Sequence, residues 1–292
     1  MEETFVKRLL LCLNLIALLA LFGCGDESTT TTTAAVTEAT EQTTEVTTEV
    51  TSETEETTAA TTEETTEATT EATTEEPKIK GVVVIDPGHQ GHTDKTPEPI
   101  GPGAKKTIGI AGVGTCGVST KTPEYELTLE LSLKLRDELT ARGYQVIMTR
   151  ESNDVKVSCK TRAEIANDAN ADAFIRIHAN GSENKKVKGC MTACISSKNP
   201  YQDEIHQDYE KSRLLSEKVL NSLVDSIHTK REGIFERDDL SGNNWAKVPT
   251  TLVEVGYMTN PEEDELMATD EYQKKIVDGL ANGIDSYIEA VE

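Results

Sequence analysis

Positive charge is what this sequence lacks most conspicuously. Residues 26–77 hold fifteen Asp or Glu and no Lys or Arg. No basic stripe forms elsewhere either, which excludes nucleic acid as a partner. Apolar groups are missing from the same segment, which is almost wholly Thr, Glu and Ala in approximate TTEATTE repeats. With so little to bury and strong self-repulsion, it cannot offset the entropy of folding and reads as a disordered tether. A flexible coil of this length reaches roughly 40 Å, and charge repulsion extends it further. A membrane-spanning apolar run is absent as well. The stretch from Leu9 to Phe22, broken by Asn14, is too short to cross comfortably.

That stretch follows Lys7 and Arg8, and so reads as the apolar region of an export signal. It ends Leu21-Phe22-Gly23-Cys24, which resembles a bacterial lipobox with Phe22 as an unusual filler. Cleavage before Cys24 and lipid attachment to it would follow, with an ordinary cleaved signal or an uncleaved anchor as the plainer readings. The chain thus divides into a leader (1–24), a linker (25–77) and a folded region (78–292). Removing the fifteen linker charges from the total of -23 leaves -8, ordinary for a soluble domain. The folded region is long enough for one domain with a full core.

Strands and helices alternate within it. Val82–Asp86, Ala173–Ile177 and Thr250–Val255 are short apolar runs of the kind buried on both faces. Gln145–Thr149 and Lys188–Ser196 add further strands. Thr122-Pro123 opens a helix with Leu127, Leu131 and Leu135 on one face, ended near Arg142 by Gly143. Helices also span Arg162–Ala169 and Asp208–Thr229, and two more close the chain between Glu262 and Ala290. The pattern predicts an α/β domain whose mixed, largely parallel sheet is covered by helices on both faces. Residues 87–121 read as a long Gly- and Pro-rich loop, a length that implies function, here control of access to a site.

Two of the buried strands end in histidine, at His89 and His178, where open α/β sheets hold ligands. Each alone is more often a hydrogen-bonded structural residue. A third strand carries Glu254 between Val253 and Val255, where a charged carboxylate costs several kcal/mol unless compensated. A metal ion is the obvious compensator, since two histidines and a carboxylate with an open position are the usual ligands of catalytic zinc. Spacing alone does not identify the third ligand.

Five motifs occur in order across 80–290: Asp86-Pro87-Gly88-His89, Pro123-Glu124-Tyr125-Glu126-Leu127, Arg162 with Ala166-Asn167, Ile177-His178-Ala179-Asn180, and Leu252-Val253-Glu254-Val255-Gly256-Tyr257-Met258-Thr259-Asn260-Pro261. Together they resemble the zinc-dependent N-acetylmuramoyl-L-alanine amidases of the amidase 3 type, bacterial cell-wall hydrolases. The resemblance implies one Zn2+ per domain held by His89, Glu124 and His178, with Glu254 as the catalytic carboxylate. Glu126 lies two places from Glu124. Glu124 precedes Leu127 and Leu131 by three and seven, and so shares their buried face. Arg162, Asn167 and Asn180 occupy family-like positions, either touching substrate or serving as a helix-anchoring salt bridge and turn residues.

The implied protein is a monomeric peptidoglycan hydrolase, lipid-anchored outside the bacterial cell membrane and facing the wall. A zinc peptidase acting within the stem peptide, and a wall-binding surface protein without activity, are the alternatives. His92, His206 and His228 read as bystanders, and Trp245 as either groove lining or a cap on the core. Cys116, Cys159, Cys190 and Cys194 in an exported domain suggest disulfides, unless the organism lives without oxygen.

Overall fold

A computed structural model describes residues 79–292. The leader, Cys24 and the Thr/Glu-rich linker lie outside the described residues. The domain is built on a six-stranded sheet of order β4-β1-β5-β8-β6-β7. Its strands are β1 (Val82–Pro87), β4 (Gln145–Met148), β5 (Ala173–Asn180), β6 (Cys190–Cys194), β7 (Arg231–Glu236) and β8 (Thr250–Tyr257). Strands β4, β1, β5 and β8 run parallel; β6 is antiparallel to β8 and carries β7 parallel to itself. The expected mixed, largely parallel sheet is what forms.

One face is covered by α1 (Glu124–Ala141), α4 (Tyr209–Ile227) and α7 (Asp270–Val291). Helix α1 places Leu127, Leu131, Leu135 and Leu139 against Val83, Ile85, Ile175 and Ile177. Buried leucines of this kind stabilise by about 1.5–3 kcal/mol each. The other face is covered at one end only, by α2 (Cys159–Asp168) and α5 (Ser241–Trp245), around Val84 and Phe174. Alternation along the strands puts Asp86, Arg176, His178, Leu252 and Glu254 on this thinly covered face. Two short helices, α3 (Gln202–Ile205) and α6 (Pro261–Met267), complete the domain. Among the described residues no helix is long and apolar enough to cross a membrane.

The stretch expected to be an unstructured loop instead contains a hairpin, β2 (Asp94–Pro99) against β3 (Thr107–Ala111). Its first strand reads Asp-Lys-Thr-Pro-Glu-Pro, which has neither alternation nor β propensity. Prolines are tolerated there because β2 pairs on one side only. The far end of the hairpin is pinned. Trp245 donates its indole N–H to Pro99 O at 2.9 Å, and Asn244 donates to Ile100 O at 3.0 Å. Trp245 therefore packs on the smaller core and anchors the hairpin.

Candidate metal centre

His89 sits on the turn that ends β1, and its φ of 61° lies in the left-handed region. A non-glycine residue there costs on the order of 1–3 kcal/mol, so the surroundings must hold it. Two arginines do. Arg150 donates to Pro87 O and Gly88 O, both at 2.9 Å, and also to Tyr125 O in the first turn of α1 at 2.9 Å. Arg162 donates to Pro87 O at 2.6 Å and His89 O at 2.9 Å. Thr128 adds a bond to Gly88 O at 2.7 Å. The buried Asp86 supplies the countercharge, paired with Arg162 at 2.6 Å and Arg176 at 2.9 Å. Burial raises its pKa, but the two guanidinium charges outweigh that and hold it well below the usual carboxylate range.

Three side chains converge beside this turn. Glu124 Oε1 lies 3.2 Å from His89 Nε2 and 3.1 Å from His178 Nδ1. The two rings meet edge to face with centroids 4.9 Å apart. Glu124 also accepts from Thr115 N at 2.9 Å and Ala179 N at 3.2 Å. Burial pushes its carboxyl up, yet its polar contacts with His178 and His89 outweigh this and hold it well below the usual carboxylate range. Burial is also the main influence on His178, lowering its pKa and favouring the neutral imidazole that metals require.

The tautomer of His89 follows from a neighbour. Its Nδ1 lies 3.1 Å from Gly112 O, a carbonyl that can only accept, so Nδ1 carries the proton. Nε2 then directs a lone pair at an ionised carboxylate oxygen 3.2 Å away. Two such electron-rich atoms need a cation between them, either a second proton on the ring or a metal ion. One ligand atom from each of His89, Glu124 and His178 lies within 4.8 Å of the others, a set that suits a metal. Glycines leave the space: a Cβ on Gly88 would stand 2.6 Å from His178 Cε1, and one on Gly114 would stand 2.8 Å from His89 Cδ2 and collide with Glu124.

Glu254 faces this cluster from β8, where it pairs in register with His178. Its Oε2 is buried without a hydrogen-bond partner. Burial first, and then the charge of Glu124, push its pKa up to about 8, with Arg237 and Arg176 opposing. A carboxyl group in this state can take up or release a proton near neutrality.

Other residues singled out in the sequence lie apart. Glu126 is exposed. His92 is exposed and pairs with Asp154 at 3.0 Å. His206 and His228 are left-handed helix C-caps. Arg162 is buried with its donors committed to protein acceptors, as an anchoring salt bridge rather than a surface for substrate. Asn167 likewise binds Trp245 O at 3.0 Å and Lys247 N at 2.7 Å. Asn180 stands on the open face next to Met191. The four cysteines of the domain form no disulfide. Arg150, Arg176 and the carbonyl of Gly112 went unnoticed in the sequence. The one available hint was an arginine directly following a strand, in Thr149-Arg150.

Comparison with known proteins agrees with this geometry. The family model for N-acetylmuramoyl-L-alanine amidase matches residues 83–286. An N-acetylmuramoyl-L-alanine amidase of Mycobacterium tuberculosis is 28% identical over 212 residues, covering 71% of this chain and 86% of its own. Amidase AmiA of Escherichia coli is 27% identical over 241 residues, covering 71% of this chain and 76% of its own. The crystal structure of the amidase Ami1 from Mycobacterium smegmatis superposes with a TM-score of 0.64 at 28% identity, covering 73% of this chain and 98% of that one. With a family match running from the first strand of the sheet into its last helix, this chain belongs to the N-acetylmuramoyl-L-alanine amidase family.

Proposed function

We propose that this protein is a zinc-dependent peptidoglycan hydrolase that cuts the amide between N-acetylmuramic acid and the L-alanine of the stem peptide. The observation that carries this reading is the convergence of His89, Glu124 and His178 opposite the unpartnered, protonatable Glu254. His89 through Nε2, a carboxylate oxygen of Glu124, and His178 would hold the ion. When bound, zinc supplies Lewis-acid polarisation of the scissile carbonyl and acidifies water.

The remaining work falls to the chain itself. Glu254 takes a proton from the attacking water and returns it to the departing alanine nitrogen, as its raised pKa allows. The Asp86–Arg162–Arg176 network and Arg150 keep the His89 turn fixed, so little reorganisation accompanies the reaction. A binder without activity has no use for a carboxylate with one oxygen buried and left without a hydrogen-bond partner.

Outside the folded domain, Cys24 is the lipid attachment site in this reading. The linker (25–77) lets a membrane-held monomer sample the wall. Mass spectrometry of products from purified muropeptides, with and without chelator, tests the proposal. Release of lactyl-terminated glycan and free alanine-ended peptide, abolished by chelator and restored by zinc, is expected. Cleavage within the stem peptide would favour a peptidase instead.

A further inference from the structure

The face of the sheet that carries Glu254 does not end there. Cross-strand partners point to the same side, and Glu254 pairs with Met191, which pairs in turn with Gly233. One step along, Leu252, Ala193 and Phe235 form the next row. Met191, Ala193 and Leu252 make a small apolar floor, packed by Leu240. Gly233 adds no side chain, and Phe235 is 43% exposed, so the floor opens to solvent over β7. Arg237 continues the alternation two residues beyond Phe235, its backbone held by Arg237 N donating to Cys194 O at 2.8 Å.

The chemistry of the reaction orients the substrate on this floor. This step rests on the amidase reading of the site. A residue that protonates the leaving nitrogen must stand on that nitrogen's side of the scissile bond. Glu254 lies between the metal-ligand cluster on β1, α1 and β5 and the open strands β6 and β7. The peptide, attached to that nitrogen, therefore departs over β6 and β7, and the sugar lies toward the other side. Stem peptides carry an acidic second residue whose α-carboxyl is either free or amidated. In an extended peptide that group is about 7 Å beyond the scissile nitrogen. Arg237 stands two strand spacings across the sheet from Glu254, roughly 10 Å, and four residues along β7 from the Glu254 row, roughly 13 Å, a gap that the peptide and the long arginine side chain span together.

We propose that the stem peptide leaves across β6 and β7, and that Arg237 binds its first free carboxylate. Arg237 grips Asp239 at 2.7 and 2.8 Å, a two-pronged bond between groups 44% and 50% exposed. Such an exposed pair is worth at most about 1 kcal/mol, so a substrate carboxylate can share or replace Asp239. The guanidinium is already set to a carboxylate's geometry. Its positive charge also acts on Glu254, opposing the rise in that carboxyl's pKa.

The test compares two synthetic muramoyl dipeptides, identical except for a free or amidated second-residue α-carboxyl. The zinc-loaded full chain should prefer the free acid by about tenfold in kcat/KM, expressed in KM. In Arg237→Gln the ratio should fall to about one, and in Arg237→Glu it should invert. Zinc content and melting temperature at wild-type values show that both variants fold. Cleavage of both substrates at the lactyl amide without preference would overturn the assignment and leave the amidase reading standing. An unchanged preference in both variants would do the same. A wild-type protein that cleaves neither would overturn both.

Discussion

Replacing Gly88 with alanine isolates the link between a backbone atom and the metal site. The backbone of Gly88 is outside the left-handed region, so conformational strain is not at issue. Space is. The added carbon would lie 2.6 Å from His178 Cε1 and 2.7 Å from both ring nitrogens. Ordinary contact between such atoms is about 3.5 Å, so the imidazole must retreat by about 1 Å. Metal sites tolerate about 0.2 Å, and overpacking of this kind costs about 1–3 kcal/mol of fold stability. Disturbing even the groups that merely support a ligand weakens binding 10–100-fold, so Gly88→Ala should weaken zinc by about 100-fold or more. Competition against a chromophoric chelator measures the affinity, and thermal unfolding of the metal-free protein reports the fold. A variant that keeps wild-type zinc affinity would refute the reasoning.

Three further outcomes follow from the same geometry. Glu254→Gln should lower kcat on muropeptides by about 10²–10⁴-fold with zinc content intact, read by steady-state kinetics and metal analysis. In the metal-free protein, the Glu254 pKa of about 8 exceeds its unfolded value, so the folded state binds the proton more tightly. The stability it contributes is complete below about pH 4.3 and is lost as pH rises through 8. Urea unfolding should show this slope in wild type, and Glu254→Gln should abolish it. Asp86→Asn leaves Arg162 and Arg176 buried without countercharge, which should cost about 3–5 kcal/mol in urea unfolding.

The parts of this protein legible in its sequence are those written as local patterns. The apolar runs of β1, β5 and β8 and the leucine stripe of α1 come directly from side-chain periodicity. The convergence of two strand-end histidines with Glu124 was legible because motif and helix phase agreed. Edges were harder. Strand β7, Arg-Glu-Gly-Ile-Phe-Glu, pairs only with β6 and needs no sustained apolar run, so nothing in its composition announces a strand. Helix α2 begins earlier than its apolar residues suggest, because Ser158 caps it by accepting from Thr161 N. The clamp on the His89 turn was invisible for another reason. Arg150 and Arg162 bind backbone carbonyls, which every residue has, so no pairing of residue types betrays the contact.

The hairpin has a bearing on how this enzyme responds to what it touches. One root of it ends at Gly112, whose carbonyl fixes the proton on His89, and the outer end is fastened to Trp245 and Asn244. Displacing the hairpin would withdraw the Gly112 carbonyl from His89, and with it the bond that sets which ring nitrogen faces Glu124. Exchanging this segment between related enzymes should accordingly retune metal retention along with substrate choice.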